Sequence, residues 1–178
     1  MEKAGFKLSI KSMDDGGSGT FTGLASTYGN TDLTGDIVVP GAFTRTITEQ
    51  KGTFPLLWQH HSDSPIGSAQ VTDTPAGLEV AGELVLESEK AREAYALMKK
   101  KIIKGLSIGY DSVKSYAKDG ARYLQEIRLW EISLVTFPAN PEAQVVAVKS
   151  AEEILIGERI ARCEEVLDEA RQRLARIG

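Results

Sequence analysis

Short runs of β-forming residues, most of them closed by a turn containing glycine or proline, fill the first two-thirds of this chain. That spacing restricts the fold more than any other feature. Residues 6–10 and 21–28 read as strands, separated by Asp14-Asp15-Gly16-Gly17-Ser18-Gly19. Residues 37–39 are stopped by Pro40-Gly41, and residues 43–48 read as a short helix. Strands are expected again over 55–59, 68–73 and 78–86. The last alternates through Leu78, Val80, Gly82 and Leu84, which gives it one apolar face. Strands at such intervals favour a sandwich or a small barrel. At 178 residues the chain has room for one domain with a core and a short extension.

Two segments carry a helical period instead. Over residues 88–103, Ala91, Ala94, Tyr95, Met98 and Ile102 fall on one face. Ser88 suits the N-cap, Glu89 the first turn, and Lys99-Lys100-Lys101 the end where the helix dipole favours cations. Gly105 is expected to stop this helix. In the tail, residues 151–177, the side chains Ile160, Cys163, Leu167, Ala170, Leu174 and Ile177 alternate at spacings of three and four. Such a seam packs either on the body of the protein or against another chain.

Charge and cysteine content remove several function classes. Lys and Arg total 21 against 25 Asp and Glu, a net charge of −4, so there is no basic surplus to neutralise phosphates. Neither a nucleic-acid partner nor an anionic membrane fits that balance, and the lysine run reads as a solvated helix end. Cys163 is the only cysteine, which excludes an internal disulfide and a cysteine-based zinc cluster. No run approaches membrane-spanning length and the first residues lack an apolar segment, so a soluble protein of a reducing cytoplasm is expected.

The most specific local string is Gly105-Leu106-Ser107-Ile108-Gly109. A G-x-S-x-G pattern marks the nucleophile elbow of α/β-hydrolases, where a strand leads in and a helix follows. Here a helix leads in and the β-like residues 107–113 follow. Hydrolase triads also run serine, acid, histidine, whereas the only histidines, His60 and His61, precede Ser107. That fold is excluded. If the string is extended, Leu106 and Ile108 face a core while Gly105, Ser107 and Gly109 share the other face. The two glycines would then leave room for a substrate backbone beside the hydroxyl. A tightly packed strand with a small hydroxyl explains the same string without chemistry.

A serine nucleophile needs a base. His60 and His61 end an apolar strand at a polar turn, Leu57-Trp58-Gln59-His60-His61-Ser62-Asp63, held by the scaffold yet open to solvent. Adjacent histidines point to opposite faces of a strand and no third nitrogen or sulfur ligand is evident, so a metal-dependent hydrolase fits poorly and no cofactor is expected. Glu131 lies inside the apolar run Leu129-Trp130-Glu131-Ile132-Ser133-Leu134-Val135-Thr136-Phe137. A carboxylate there is costly unless exposed or paired. It either orients an imidazole or, with Ser133, forms the wet face of a half-buried strand.

Taken together, four blocks in this order resemble the prohead (procapsid maturation) serine proteases of tailed bacteriophages, which are similar in fold to the herpesvirus assemblins. They are Gly35-Asp36-Ile37-Val38-Val39-Pro40-Gly41-Ala42-Phe43, Leu57-Trp58-Gln59-His60 with Pro65-Ile66-Gly67, Gly105-Leu106-Ser107-Ile108-Gly109-Tyr110, and Trp130-Glu131-Ile132-Ser133-Leu134-Val135-Thr136-Phe137-Pro138-Ala139-Asn140-Pro141. The resemblance covers residues 21–148. It implies an α+β, mainly β protein: a small closed β-barrel flanked by helices, with a C-terminal amphipathic helix. It divides the chain into a protease barrel over residues 1–150 and a helical extension over 151–178 for oligomerisation or scaffold contact.

The same resemblance implies a serine endopeptidase with Ser107 as nucleophile and His60 as general base. The third member is a histidine in assemblins, and Glu131 occupies the equivalent place here. Relatives usually follow the first histidine with aspartate; His61 stands there instead, which leaves two imidazoles to weigh, and the motif position favours His60. The oxyanion hole would lie near Ala139 and Asn140. Substrates would be phage scaffold protein and major capsid protein, cut inside the assembling procapsid in the host cytoplasm by a homo-oligomeric enzyme needing no cofactor or metal. A non-catalytic capsid assembly module acting through the tail helix is the alternative.

Overall fold

The computed structural model describes residues 17–150 and, in the tail, residues 157, 160–165, 167 and 171–172. Two compact units divide the chain, Gly19–Lys149 and the ends Met1–Ser18 with Ser150–Gly178. The strand expected over residues 6–10 lies outside the described residues, as do Ala170, Leu174 and Ile177 of the tail seam. The described tail residues are helical, with Ile160, Cys163 and Leu167 exposed.

The elements run β1 (Gly17–Thr27), β2 (Asp36–Val38), α1 (Thr44–Glu49), β3 (Thr53–Trp58), β4 (His61–Thr74), β5 (Gly77–Leu84), α2 (Glu89–Lys99), β6 (Gly105–Lys118), β7 (Ala121–Val135) and β8 (Val145–Ser150). All eight strands join one sheet in the order β2-β7-β3-β4-β5-β1-β8, with β6 on the other side of β7. The sheet curls until its ends meet at a short seam. There Leu24 N–H donates to Gln144 O at 2.9 Å, while Leu106 N–H donates to Ala143 O at 2.9 Å and Gly105 bridges to Gln144. The expected barrel architecture is therefore present, closed on this side by a few hydrogen bonds rather than by a full ladder.

The period-two pattern of β5 explains its place: Leu78, Val80 and Leu84 are buried, while Glu79 and Glu83 are exposed. Gly82 shares the inward face because Phe21, its register partner in β1, lays its ring there; a Cβ at residue 82 would come within 2.2 Å of that ring. Phe21, Leu56, Ile66, Leu78, Leu106 and Ile132 are fully buried, and each side chain contributes about 1.5–3 kcal/mol of hydrophobic stabilisation.

Helix α2 buries Ala91, Ala94, Tyr95 and Met98 as its period requires. Its end corrects two expectations. Ile102 is exposed and Ile103 is buried instead, because the helix stops at Lys99 rather than running to Gly105. Lys101 enters the left-handed region at φ 56, its N–H bonding Met98 O at 2.8 Å while Ile102 N–H bonds Leu97 O at 2.9 Å. That pair of bonds is a Schellman ending, and it rotates residue 102 off the helix face. Ser88 holds the N-cap position without a side-chain cap bond. Gly105 instead opens β6, the strand that carries Ser107.

Candidate active site

Strand β7 organises the site because it pairs on both edges. Leu56, Leu57 and Trp58 of β3 run parallel to Ile132, Ser133 and Leu134, while β6 runs antiparallel along the other edge with Ser107 opposite Ser133 and Gly109 opposite Glu131. Directly opposed residues in an antiparallel pair carry their Cβ atoms about 4.5–5.5 Å apart on the same face. Ser107, Gly109, Glu131 and Ser133 therefore form one patch. The reading of Glu131 and Ser133 as a wet face is corrected: they are only 8% and 0% exposed.

His60 reaches this patch from a strained turn. Trp58 pairs with His61, leaving Gln59 and His60 as a two-residue hairpin loop. Both have positive φ, 53° and 61°, as a type I′ turn demands, although that turn favours Asn-Gly. Holding an L-residue there costs about 1–2 kcal/mol each. Strand β7 supplies the restraint. Gln59 N–H donates to Leu134 O at 3.0 Å, His60 N–H donates to Ser133 Oγ at 3.0 Å, and the Gln59 amide exchanges bonds with Thr136 at 2.9 and 3.2 Å.

In that conformation His60 Nδ1 lies 2.6 Å from Glu131 Oε1. The other carboxylate oxygen, Oε2, accepts a 2.7 Å bond from Ser133 Oγ. The Glu131 side chain is 10% exposed and the imidazole 42%, so an enclosed carboxylate holds a ring that solvent can reach. His61 opens β4, exposed, and it is His60 that takes the Glu131 carboxylate. Of the expected residues, His60 and Glu131 are thus in direct contact. Ser107 stands across from Ser133, the residue that touches both; among the described residues no hydrogen bond joins Ser107 Oγ to the ring. Catalytic hydrogen bonds are often long before substrate binds.

The flanking glycines do other work than expected. A Cβ on Gly109 would sit 2.3 Å from Glu131 Oε1, and one on Gly105 would meet Val135 O at 2.7 Å and Pro138 Cδ at 2.8 Å. They make room for β7 and the acid, not for a substrate backbone.

The space beside Ser107 has two further features. A cavity of about 110 Å³ is lined by Ser107, Asn30, Asp36, Tyr110, Ala139 and Asn140. Asn140 is tied down by Asn30 Nδ2 at 2.9 Å and by its own Nδ2 to Thr27 Oγ1 at 2.8 Å. Asp36 is 3% exposed and receives Arg122 at 2.7 and 2.5 Å and the Tyr110 hydroxyl at 2.9 Å. The Arg122 hydrogen bonds hold the Asp36 carboxyl below the usual range, while burial and the Asp36 bond push the Tyr110 hydroxyl upward. Asp36 lies in the first of the four blocks that carry the family resemblance, which assigned it no role. Second, Leu106 turns its N–H away from β7 toward Ala143. By alternation the polar backbone groups of Ile108 face the same way, along an edge of β6 on which, among the described residues, no strand pairs.

An acid, an imidazole and a hydroxyl gathered on one sheet face, beside a strand edge on which no described strand pairs, suit acyl transfer on an extended peptide. Residues 6–155 match the caudovirus prohead serine protease family. This chain belongs to that family. It is a serine protease of phage procapsid maturation. It is 34% identical over 154 residues to the prohead protease of Enterobacteria phage HK97, a match spanning 82% of this chain and 67% of the relative. It is also 34% identical over 153 residues to the capsid polyprotein of Pseudomonas phage PAJU2, covering 80% of this chain and 22% of that protein. Among solved structures, the protease of KSHV in complex with a hexapeptide phosphonate inhibitor superposes with a TM-score of 0.51 at 12% identity, over 84% of this chain and 76% of that one. The fold of this protease is thus that of the herpesvirus enzyme. Among the described residues no helix is long and apolar enough to cross a membrane, and no cluster of three or more His, Cys, Asp or Glu side chains is arranged to hold a metal ion.

Proposed function

We propose that this protease cuts scaffold protein and major capsid protein with Ser107 as nucleophile, His60 as general base and Glu131 as the group that orients the base. The carrying observation is the 2.6 Å contact between His60 Nδ1 and Glu131 Oε1, on the face that also holds Ser107. The carboxylate fixes the imidazole with Nδ1 as donor, which frees the opposite nitrogen to accept the Ser107 proton. Ser107 Oγ then attacks the scissile carbonyl, and main-chain N–H groups of the turn at Ala139 and Asn140, on the wall of the Ser107 cavity, stabilise the oxyanion. His60 passes its proton to the departing amine. Water, deprotonated by His60, releases the acyl group and restores the hydroxyl.

An extended substrate segment would add as a strand to the open edge of β6 beside Ile108, where backbone bonds give affinity without demanding a folded partner. Capsid-associated substrates are supported by the family and by the capsid polyprotein relative. The enzyme would act inside the assembling procapsid in the host cytoplasm, as a homo-oligomer. In this reading residues 1–150 are the protease domain and 151–178 a helical extension that meets another copy or the scaffold. The test is Ser107→Ala in the purified full chain incubated with scaffold protein. Cleavage should disappear while the thermal midpoint stays unchanged; scaffold cut at the wild-type rate refutes the assignment.

A further inference from the structure

We infer that Ser133 is a positioning residue, whose one hydroxyl locks the base and its acid into a common geometry; this rests on the assignment of His60 and Glu131 made above. Ser133 is fully buried in the middle of β7, where a hydroxyl is costly unless it is satisfied. Its backbone already serves the sheet through Leu57 and Ser107. The hydroxyl is spent wholly on the site: it accepts from His60 N–H at 3.0 Å and donates to Glu131 Oε2 at 2.7 Å.

Each bond removes a freedom. The carboxylate torsion of glutamate is broad, so the contact from His60 to Oε1 alone leaves the plane of Glu131 free to rotate. The Ser133 bond to Oε2 commits the second oxygen and fixes the plane. The His60 backbone is left-handed at φ 61, a conformation that persists only where the surroundings over-determine it. Gln59 is held by Leu134 and Thr136, whereas the His60 N–H donates to Ser133 Oγ. The same residue is the register partner of Ser107, so it lies beneath the point where hydroxyl and ring must meet.

The test compares Ser133→Ala, Ser133→Thr and His60→Ala in the full chain on a scaffold-derived peptide. For Ser133→Ala, kcat should fall about 10²-fold with KM little changed, the size of loss expected from a small misplacement of reacting groups. The far-downfield proton resonance of the His60–Glu131 hydrogen bond should weaken or vanish, while the thermal midpoint falls by several degrees with the fold retained. Ser133→Thr, which keeps the hydroxyl, should retain more activity than Ser133→Ala. Wild-type kcat and an intact resonance in Ser133→Ala overturn the inference. So does a loss of kcat that follows thermal stability alone with the resonance unchanged. If His60→Ala cleaves normally, the underlying assignment of the base fails; if His60→Ala is inactive while Ser133→Ala is normal, only the role of Ser133 fails.

Discussion

Glu131 Oε1 sits 2.6 Å from Nδ1 of His60, a residue 71 positions earlier in the chain, and the contact exists because β3 and β7 run parallel and side by side. In the proposed mechanism a carboxylate there would keep Nδ1 as the donor, leave the opposite ring nitrogen to take the Ser107 proton, and stabilise the imidazolium that forms. Glu131→Gln keeps the shape and loses the charge. Its kcat on a scaffold peptide should fall about 10²- to 10⁴-fold with the fold retained, as measured by steady-state kinetics beside circular dichroism. Activity within a few-fold of wild type would remove Glu131 from the mechanism.

Gly109 offers a steric test of the same contact. Its added Cβ would meet Glu131 Oε1 at 2.3 Å and Cγ at 2.9 Å, both atoms of a movable side chain. Gly109→Ala should therefore fold but push the carboxylate away from His60. The expected result is a loss of about 10²-fold in kcat with a small change in thermal midpoint. A variant that unfolds instead would show the glycine to be structural.

Asp36 links stability to pH. Its folded carboxyl is held below the ordinary aspartate range, first by the Arg122 hydrogen bonds. A depressed folded value means the stabilisation is complete above the unfolded value of about 4 and is lost as pH falls from there through the folded value. Asp36→Asn should cost about 1–3 kcal/mol near neutrality, the range for losing hydrogen bonds to a charged partner. The gap from wild type should narrow below about pH 4. Urea denaturation at neutral and acid pH measures both, and a gap that stays constant would contradict the account.

The elements that the sequence announces are those whose signal is local. β5 alternates, α1 lies within a residue of its expected place, and α2 buries the predicted alanines, Tyr95 and Met98. The end of α2 was not legible, because a lysine takes the left-handed position usually given to glycine. The sharp turn between β6 and β7 was legible in principle: Asp119-Gly120, at φ 51 and 80, is a favoured hairpin dipeptide. Gln59-His60 makes the same kind of turn with residues that carry no such signal.

Within the proposed site, Ser107, His60 and Glu131 could be picked out because a serine between glycines, a histidine at a strand end and a carboxylate in an apolar strand each stand out by residue type. What Gly109 and Ser133 do could not, since both act through the register of β6 on β7, a pairing that no short window contains. Asp36 was hidden for the same reason: its partner Arg122 is 86 positions away.

The proposed mechanism requires that His60 activate Ser107. A serine-reactive peptide phosphonate, followed by peptide mapping with mass spectrometry, measures this directly. The adduct should form on Ser107, at a rate that drops at least about 10³-fold in His60→Ala and stays near wild type in His61→Ala. An adduct on another residue, or labelling of Ser107 that does not depend on His60, would contradict it.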